Sequence, residues 1–175
     1  MRKIAVLFTL MFGLTLLSFT QPPTGIAHAD AYAVIITPTV LLTAQNVLHF
    51  GTVMPGLQGG TVILTTDGGR TSTGGVYLID SGDNYTTPLN AIFRVVGKQG
   101  TLFNITLPET TTITGDGTDV GTMIVNTYTT SIGNPGTIAA SGTEFSVGAT
   151  LNVDNIANQP NGTYHGTFDV VVNNE

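Results

Sequence analysis

The stretch Gly162-Thr-Tyr-His-Gly-Thr-Phe-Asp-Val-Val-Val-Asn173 decides how the chain is read. Tyr164, Phe168, Val170 and Val172, with Gly166 in the same row, alternate with Thr163, His165, Thr167, Asp169, Val171 and Asn173. Successive side chains of a strand point to opposite faces, so this pattern predicts one long strand over Tyr164 to Val172, half-buried in an antiparallel sandwich. A second stretch has the same period near the other end. Tyr32, Val34 and Ile36 alternate with Ala33, Ile35 and Thr37, and Pro38 ends the run. An apolar strand at a chain terminus either pairs within its own sheet or becomes a template for another chain.

What precedes Tyr32 reads as an address. Arg2 and Lys3 lead an apolar run from Ile4 to Leu17, followed by Pro22, Pro23 and the small-residue site Ala27-His28-Ala29. These are the three regions of a secretory signal peptide. The run holds 14 residues, whereas a membrane-spanning helix needs about 20. We therefore expect residues 1–29 to be a cleaved signal, with a second small-residue site at Ala31-Tyr32-Ala33, residues 30–38 to be an N-terminal strand or donor segment, and residues 39–175 to be one β-sandwich domain. No integral span is expected in the mature form. The mature chain keeps Arg70, Arg94 and Lys98 against eleven acids, a formal charge of −8. Affinity for nucleic acid depends on neutralising phosphates, so nucleic-acid partners are disfavoured. There is no Cys, which excludes disulfides, thiolate metal sites and thiol nucleophiles.

The mature region reads as all-β. Thr supplies 27 of its 146 residues, and with Val, Ile, Tyr and Phe it fills short runs between Gly, Asn, Asp and Pro clusters. Strands are predicted at Tyr32 to Thr37, Val47 to Val53, Thr61 to Thr65, Gly75 to Ile79, Ala91 to Val96, Phe103 to Leu107, Thr110 to Thr114, Met123 to Tyr128, Glu144 to Val147, Ala149 to Val153 and Tyr164 to Val172. Helices should be minor. Nine Gly-Thr dipeptides at irregular spacing read as punctuation, Gly closing a turn and Thr opening the next strand.

The residues with chemical potential mostly have structural explanations. Asp67, Asp80, Asp83, Asp116 and Asp119 sit in Gly-rich turns, where Asp hydrogen-bonds its own backbone. The mature histidines are His49 and His165, each in a predicted strand. No nucleophile elbow or phosphate-cradling motif is present. We expect no enzyme, no catalytic residues and no cofactor. Calcium is the chemical alternative, because Asp80-Ser-Gly-Asp83-Asn84 and Gly115-Asp-Gly-Thr-Asp119 put carboxylates in flexible loops. Neither follows the twelve-residue calcium-loop pattern, and no metal ligand is assigned. The sequons at Asn84, Asn104 and Asn161 follow from the abundance of Thr.

The blocks Leu48-His-Phe-Gly-Thr-Val-Met-Pro, Gly60-Thr-Val-Ile-Leu, Gly68-Gly-Arg-Thr-Ser-Thr-Gly-Gly-Val, Ala91-Ile-Phe-Arg-Val-Val-Gly, Ile105-Thr-Leu-Pro, Phe145-Ser-Val-Gly-Ala-Thr-Leu-Asn-Val and Asn161-Gly-Thr-Tyr-His-Gly-Thr-Phe-Asp-Val-Val-Val follow one another between Val40 and Asn173. In this order they resemble the bacterial secreted domain of unknown function 4402. The resemblance implies an exported, immunoglobulin-like β-sandwich similar to chaperone–usher-type pilins and spore-coat-U-like subunits. It implies no enzymatic activity. It further implies a filament or other homo-oligomer built by strand exchange, with a periplasmic chaperone and an outer-membrane usher as partners. In that scheme Tyr32, Val34 and Ile36 form the donor segment, and Tyr164, Phe168, Val170 and Val172 the C-terminal assembly strand. Gly162, fourteenth from the C-terminus, matches the chaperone–usher pattern, whereas Asn174 stands where that group carries an aromatic. Tyr32 to Thr37 keeps two readings, donor to a neighbour or first strand of its own domain. The alternative function is a monomeric adhesin or binding module recognising glycan or host protein through the loops Asp80 to Pro88, which carries Tyr85, and Ser131 to Ser141.

Overall fold

The computed structural model describes residues 40–117 and 121–174. These contain eleven strands: β1 (Val40–Asn46), β2 (Thr52–Leu64), β3 (Arg70–Ile79), β4 (Ala91–Gly97), β5 (Leu102–Thr106), β6 (Thr110–Gly115), β7 (Thr122–Thr130), β8 (Gly136–Thr137), β9 (Thr143–Val153), β10 (Tyr164–His165) and β11 (Val171–Asn174). Every pairing is antiparallel, and no helix occurs among the described residues. The chain forms the expected all-β antiparallel sandwich. One layer is an eight-stranded sheet whose main path runs β1-β4-β9-β7-β6-β10, with β2 pairing β9 and β3 pairing β2. The other layer is the three-stranded sheet β11-β5-β8.

β9 is the axis of the molecule. Its first half pairs β4, from Val95↔Thr143 to Ala91↔Val147, and its second half pairs β2, from Leu64↔Ala149 to Gly60↔Val153. β7 lines the opposite flank. Gly148 marks the handover between β4 and β2, and a Cβ there would lie 2.4 Å from the Leu64 carbonyl oxygen. Only glycine lets the two strands share one side of β9.

The β2–β3 hairpin is sharply bent. Between the pairs Pro55↔Val76 and Gly60↔Gly74, the four residues Gly56 to Gly59 oppose Gly75 alone. Backbones approach so closely here that a Cβ on Gly60 would lie 2.0 Å from the Thr73 carbonyl oxygen, and one on Gly56 2.2 Å from that of Gly75. A bulge of this kind bends the strand and raises its twist. The bend lets both halves of the hairpin serve one core: Val62 and Leu64 from the inner half meet Val76 from the outer half, with Val53 and Leu78 packed alongside. Met123, Val125, Ala149, Leu151, Val153 and Phe50 complete this first core. A second core lies between the layers, where Ala91, Phe93, Val95, Phe145 and Val147 meet Phe103, Ile105 and Ile138.

Several strand boundaries differ from the sequence expectation. The runs Glu144 to Val147 and Ala149 to Val153 are one strand, because Gly148 continues the ladder instead of ending it. Of the run Val47 to Val53 only Thr52 and Val53 are in a strand, as the start of β2. The chain pairs earlier, at Val40–Asn46, and between there and β2 only an isolated bridge joins His49 to Leu89. At Gly51 and Gly142 the Gly-Thr punctuation holds, with positive φ just before Thr52 opens β2 and Thr143 opens β9. The single strand expected over Tyr164 to Val172 is two short ones in different sheets. Residues 1–39 lie outside the described residues, and with them the expected signal, its cleavage site and the segment Tyr32 to Thr37.

Candidate assembly edge

β10 pairs β6 at Tyr164↔Gly115 and His165↔Thr114, at the outer edge of the large sheet. β11 pairs β5 from Val171↔Thr106 to Asn174↔Phe103, at the outer edge of the small one. The C-terminal segment therefore starts on one layer and ends on the other, as strands that switch sheets at sandwich corners do. Among the described residues, no strand pairs with the intervening Gly166–Val170. The segment nevertheless stays in period. Tyr164, Phe168, Val170 and Val172 are half-buried, while His165, Thr167, Asp169 and Val171 are exposed. The alternation that predicted one strand is real, but it records which face packs and not where ladder hydrogen bonds run.

All four residues of the predicted assembly strand are brought into one row, and the row spans both cores. Tyr164 packs on the first core, and its hydroxyl donates to the Pro160 carbonyl at 2.5 Å. Phe168 stacks on Tyr128, with ring centroids 5.2 Å apart, and meets Phe93 edge-on at 6.2 Å. Val170 and Val172 pack on the second core beside Val40 and Leu42. Tyr128, beneath Phe168, donates its hydroxyl to Thr111 Oγ1 at 2.7 Å, and burial raises its pKa. Gly166 is pressed against β6, where a Cβ would lie 2.7 Å from the Thr112 carbonyl oxygen. At the far end Asn174 Oδ1 is buried, with no hydrogen-bond partner among the described residues.

Other edges are treated differently. β3 is an edge strand, but it is bent at Gly74-Gly75, where the bulge Gly56–Gly59 of β2 lies opposite, and so offers no flat edge. On β5, the side not taken by β11 is closed by β8 and then by the Asn134 side chain, which accepts from the Ile105 amide and donates to its carbonyl, both at 2.9 Å. The C-terminal edge has no such device among the described residues.

The described acids named from sequence, Asp67, Asp80, Asp83 and Asp116, lie in or beside turns, and two of them face basic side chains. Asp80 is bonded to Arg70 at 2.7 Å, and Asp116 Oδ1 lies 2.9 Å from His165 Nδ1, both groups exposed. Asp67 accepts from the Thr65 hydroxyl and more weakly from the Gly69 amide, and these bonds hold its carboxyl below the ordinary range. His49 Nδ1 accepts from the Gly51 amide at 2.8 Å. Among the described residues no three His, Asp or Glu side chains gather as metal ligands would. Asp119 lies outside the described residues.

Arg70 escaped the sequence reading. Its side chain is only 4 % exposed, and its guanidinium donates to the carbonyls of Phe50 (2.6 Å), Thr52 (3.1 Å) and Ile79 (2.7 Å) as well as to Asp80. It ties the start of β2 to the end of β3. Gly51 leaves it room, since a Cβ there would lie 2.4 Å from the guanidinium. An Arg flanked by Gly-Gly and Thr carries no periodic signal, so nothing in the local sequence announces a buried clamp.

The described residues define an all-β sandwich whose distinctive feature is a C-terminal segment with one short strand at the edge of each layer. A family model described as Domain of unknown function (DUF4402) matches residues 40–174, and the chain belongs to that family. No curated protein and no solved structure matches it.

Proposed function

We propose that the protein is an exported structural subunit of a fimbria-like or coat-like surface assembly, joined by β-strand donation and passing through the periplasm to the cell surface. The observation that carries this reading is the C-terminal edge. It offers an extended, half-buried apolar row, Tyr164-Phe168-Val170-Val172, and a stretch, Gly166–Val170, with no ladder partner among the described residues. The donor is the matching row Tyr32, Val34 and Ile36. Burying three such side chains is worth about 1.5–3 kcal/mol each, roughly 5–9 kcal/mol before ladder hydrogen bonds and the ordering of the segment are counted. Strand addition to an exposed edge draws affinity from the backbone and specificity from alternate side chains. A head-to-tail contact of this kind does not close and so builds a fibre. The role is structural, and a chaperone and usher that guard and order the edge are the partners it calls for.

The test compares the mature chain, residues 30–175, with a version lacking Asp30 to Thr37 and with Ile36→Asp. Ladders in unheated SDS gels from the mature chain, abolished in both variants, are the expected result. A mature chain that stays strictly monomeric at high concentration, and whose truncation unfolds it, would make Tyr32 to Thr37 an ordinary first strand and end the donation reading.

A further inference from the structure

We propose that the corner of the bent β2–β3 hairpin is a two-fold contact between two copies of the chain, built on Met54, Leu57, Tyr77 and Ile156. The contact is separate from strand donation and stands without it.

Alternation sets up the surface. Val53, Val76 and Leu78 turn toward the first core, which leaves Met54 and Tyr77, opposite one another in the ladder, on the outer face. The chain then swings through the bulge Gly56–Gly59, and the other apolar side chains gather around Gly56. The Tyr77 ring comes so close that a Cβ on Gly56 would lie 3.2 Å from its Cε2 atom. The Ile156 amide donates to the Gly56 carbonyl at 2.9 Å, which brings in the loop after β9, and Leu57 is next in sequence. Leu57 is 88 % exposed, Tyr77 58 %, Ile156 55 % and Met54 47 %. Together they present roughly 400–500 Å² of mostly apolar surface, within the range of about 300–600 Å² in which the largest patch on a monomer is often functional. The corner is also held in shape beforehand, by the ring of Pro55, the close backbone approach at Gly56 and the Ile156 hydrogen bond. A surface already in its docking shape gives up little freedom on contact.

Charge and area select the occupant. Residues 54–58, 75–77 and 156 include no Asp, Glu, Lys or Arg. Asp154, the acid nearest Ile156 in sequence, is engaged by its own loop, accepting from the Asn155 amide at 2.7 Å and from Asn158 Nδ2 at 3.1 Å. Two copies of a mature chain at −8 repel where their carboxylates meet, and an uncharged corner lets them touch with little repulsion. A partner steered by charge would find nothing to read here. An anionic lipid surface lacks its usual attraction too. Of the three mature cations, Arg70 is buried, and Arg94 and Lys98 lie on or just after β4, which pairs the first half of β9; the corner sits beside Val153 at the end of β9. Patch on patch buries roughly 1,000 Å² in all, the lower edge of specific interfaces and the size of a weak contact. Such a contact closes as a dimer in solution, and between subunits already held in an assembly it gains strength by repetition.

The test uses the mature chain, residues 30–175, carrying Ile36→Asp so that strand donation does not contribute. Sedimentation from about 5 to about 500 μM should show a reversible monomer–dimer equilibrium with Kd in the micromolar range. Leu57→Asp should weaken it at least about a hundredfold, because a two-fold contact loses the side chain twice and gains two facing charges. It should leave Tm unchanged, since Leu57 takes little part in the packing of its own chain. Lys98→Gln, at the other end of β9, should leave the dimer as it is. With Ile36 restored, Leu57→Asp should still give ladders in unheated SDS gels, so loss of this contact and failure of strand donation show in different assays. A chain that stays monomeric at the highest concentration, or a dimer that Leu57→Asp leaves intact, overturns the proposal. Oligomers that grow past the dimer and vanish in Leu57→Asp would mean a head-to-tail use of the corner and overturn the two-fold contact. Flotation with phosphatidylglycerol–phosphatidylethanolamine vesicles, abolished by Leu57→Asp, would assign the corner to a lipid surface instead.

Discussion

Replacing Arg70 with Met removes a cation from a place where it holds three carbonyls, and the expected loss can be worked from its contacts. The guanidinium makes four hydrogen bonds between 2.6 and 3.1 Å, three to backbone carbonyls and one to Asp80. A buried acceptor left without its donor costs about 1–3 kcal/mol, and three carbonyls lose theirs here, some of which water can reach. The Asp80 side chain is 71 % exposed, so its share is that of a screened surface pair, about 0–1 kcal/mol. Arg70→Met should therefore lose about 3–5 kcal/mol, against less than about 1 kcal/mol for Asp80→Asn. At about 2–4 °C per kcal/mol for a chain of this size, Tm should fall by roughly 10 °C in the first variant and by no more than about 4 °C in the second. Arg70→Lys should fall between them, because an ammonium keeps the charge but cannot fork to carbonyls on two strands. Calorimetry or near-ultraviolet circular dichroism of the tyrosines reads all three. Equal losses for Arg70→Met and Asp80→Asn would refute the clamp, because the ion pair alone would then carry the effect. A loss under about 1 kcal/mol for Arg70→Met would show that the carbonyls find water when the side chain goes.

Two further predictions follow from the edge and from the turn before β3. Phe168→Ala, which removes a half-buried ring from Tyr128 and Phe93, should cost about 2–3 kcal/mol in denaturant melts, less than the 3–5 expected of a fully buried ring, and should weaken laddering in parallel. Thr65→Val removes the main hydrogen bond that depresses Asp67, so the Asp67 carboxyl, titrated by NMR, should move up toward its ordinary value of 3.8. The folded pKa of Asp67 lies below the unfolded one, so its contribution is present above the unfolded value and lost as pH falls through the folded one; in Thr65→Val this part of the acid sensitivity should disappear.

The strand content was legible because period-two burial and β-branched composition are local properties. Val62, Leu64, Phe93, Val125, Phe145 and Leu151 all fall where alternation puts an inward side chain, and all are buried. What sequence did not disclose depends on contacts across the chain. Gly148 looks like a turn residue until Leu64 is placed against it. Gly56 to Gly59 and Gly75 look like loop, yet they are the bend that lets one hairpin serve both sides of a core. The break in the C-terminal strand was invisible for the same reason. Its side-chain period continues through Gly166–Val170, and only the ladders of β6 and β5 show where backbone pairing stops and resumes. The acceptor row was readable residue by residue; its position at the edge of both sheets was not.

Composition bears on that edge in a way neither the fold nor the motifs reveal alone. Sheet proteins commonly blunt their edges with charged side chains, Lys above all. After residue 29 this chain has one Lys, Lys98, and two Arg, one of them spent inside on the β2–β3 clamp. Charge is therefore not how its edges are guarded. Each of the two edges described as blunted uses backbone or neutral side-chain means: the bend that the β2 glycine bulge imposes on β3, and the Asn134 amide on β5. The C-terminal edge shows neither device among the described residues: Gly166–Val170 keeps its apolar row against the core with no ladder partner there. Under the proposed strand donation, a neighbour's strand would supply the missing backbone groups, which neither a charge nor a lone polar side chain could do along the whole stretch.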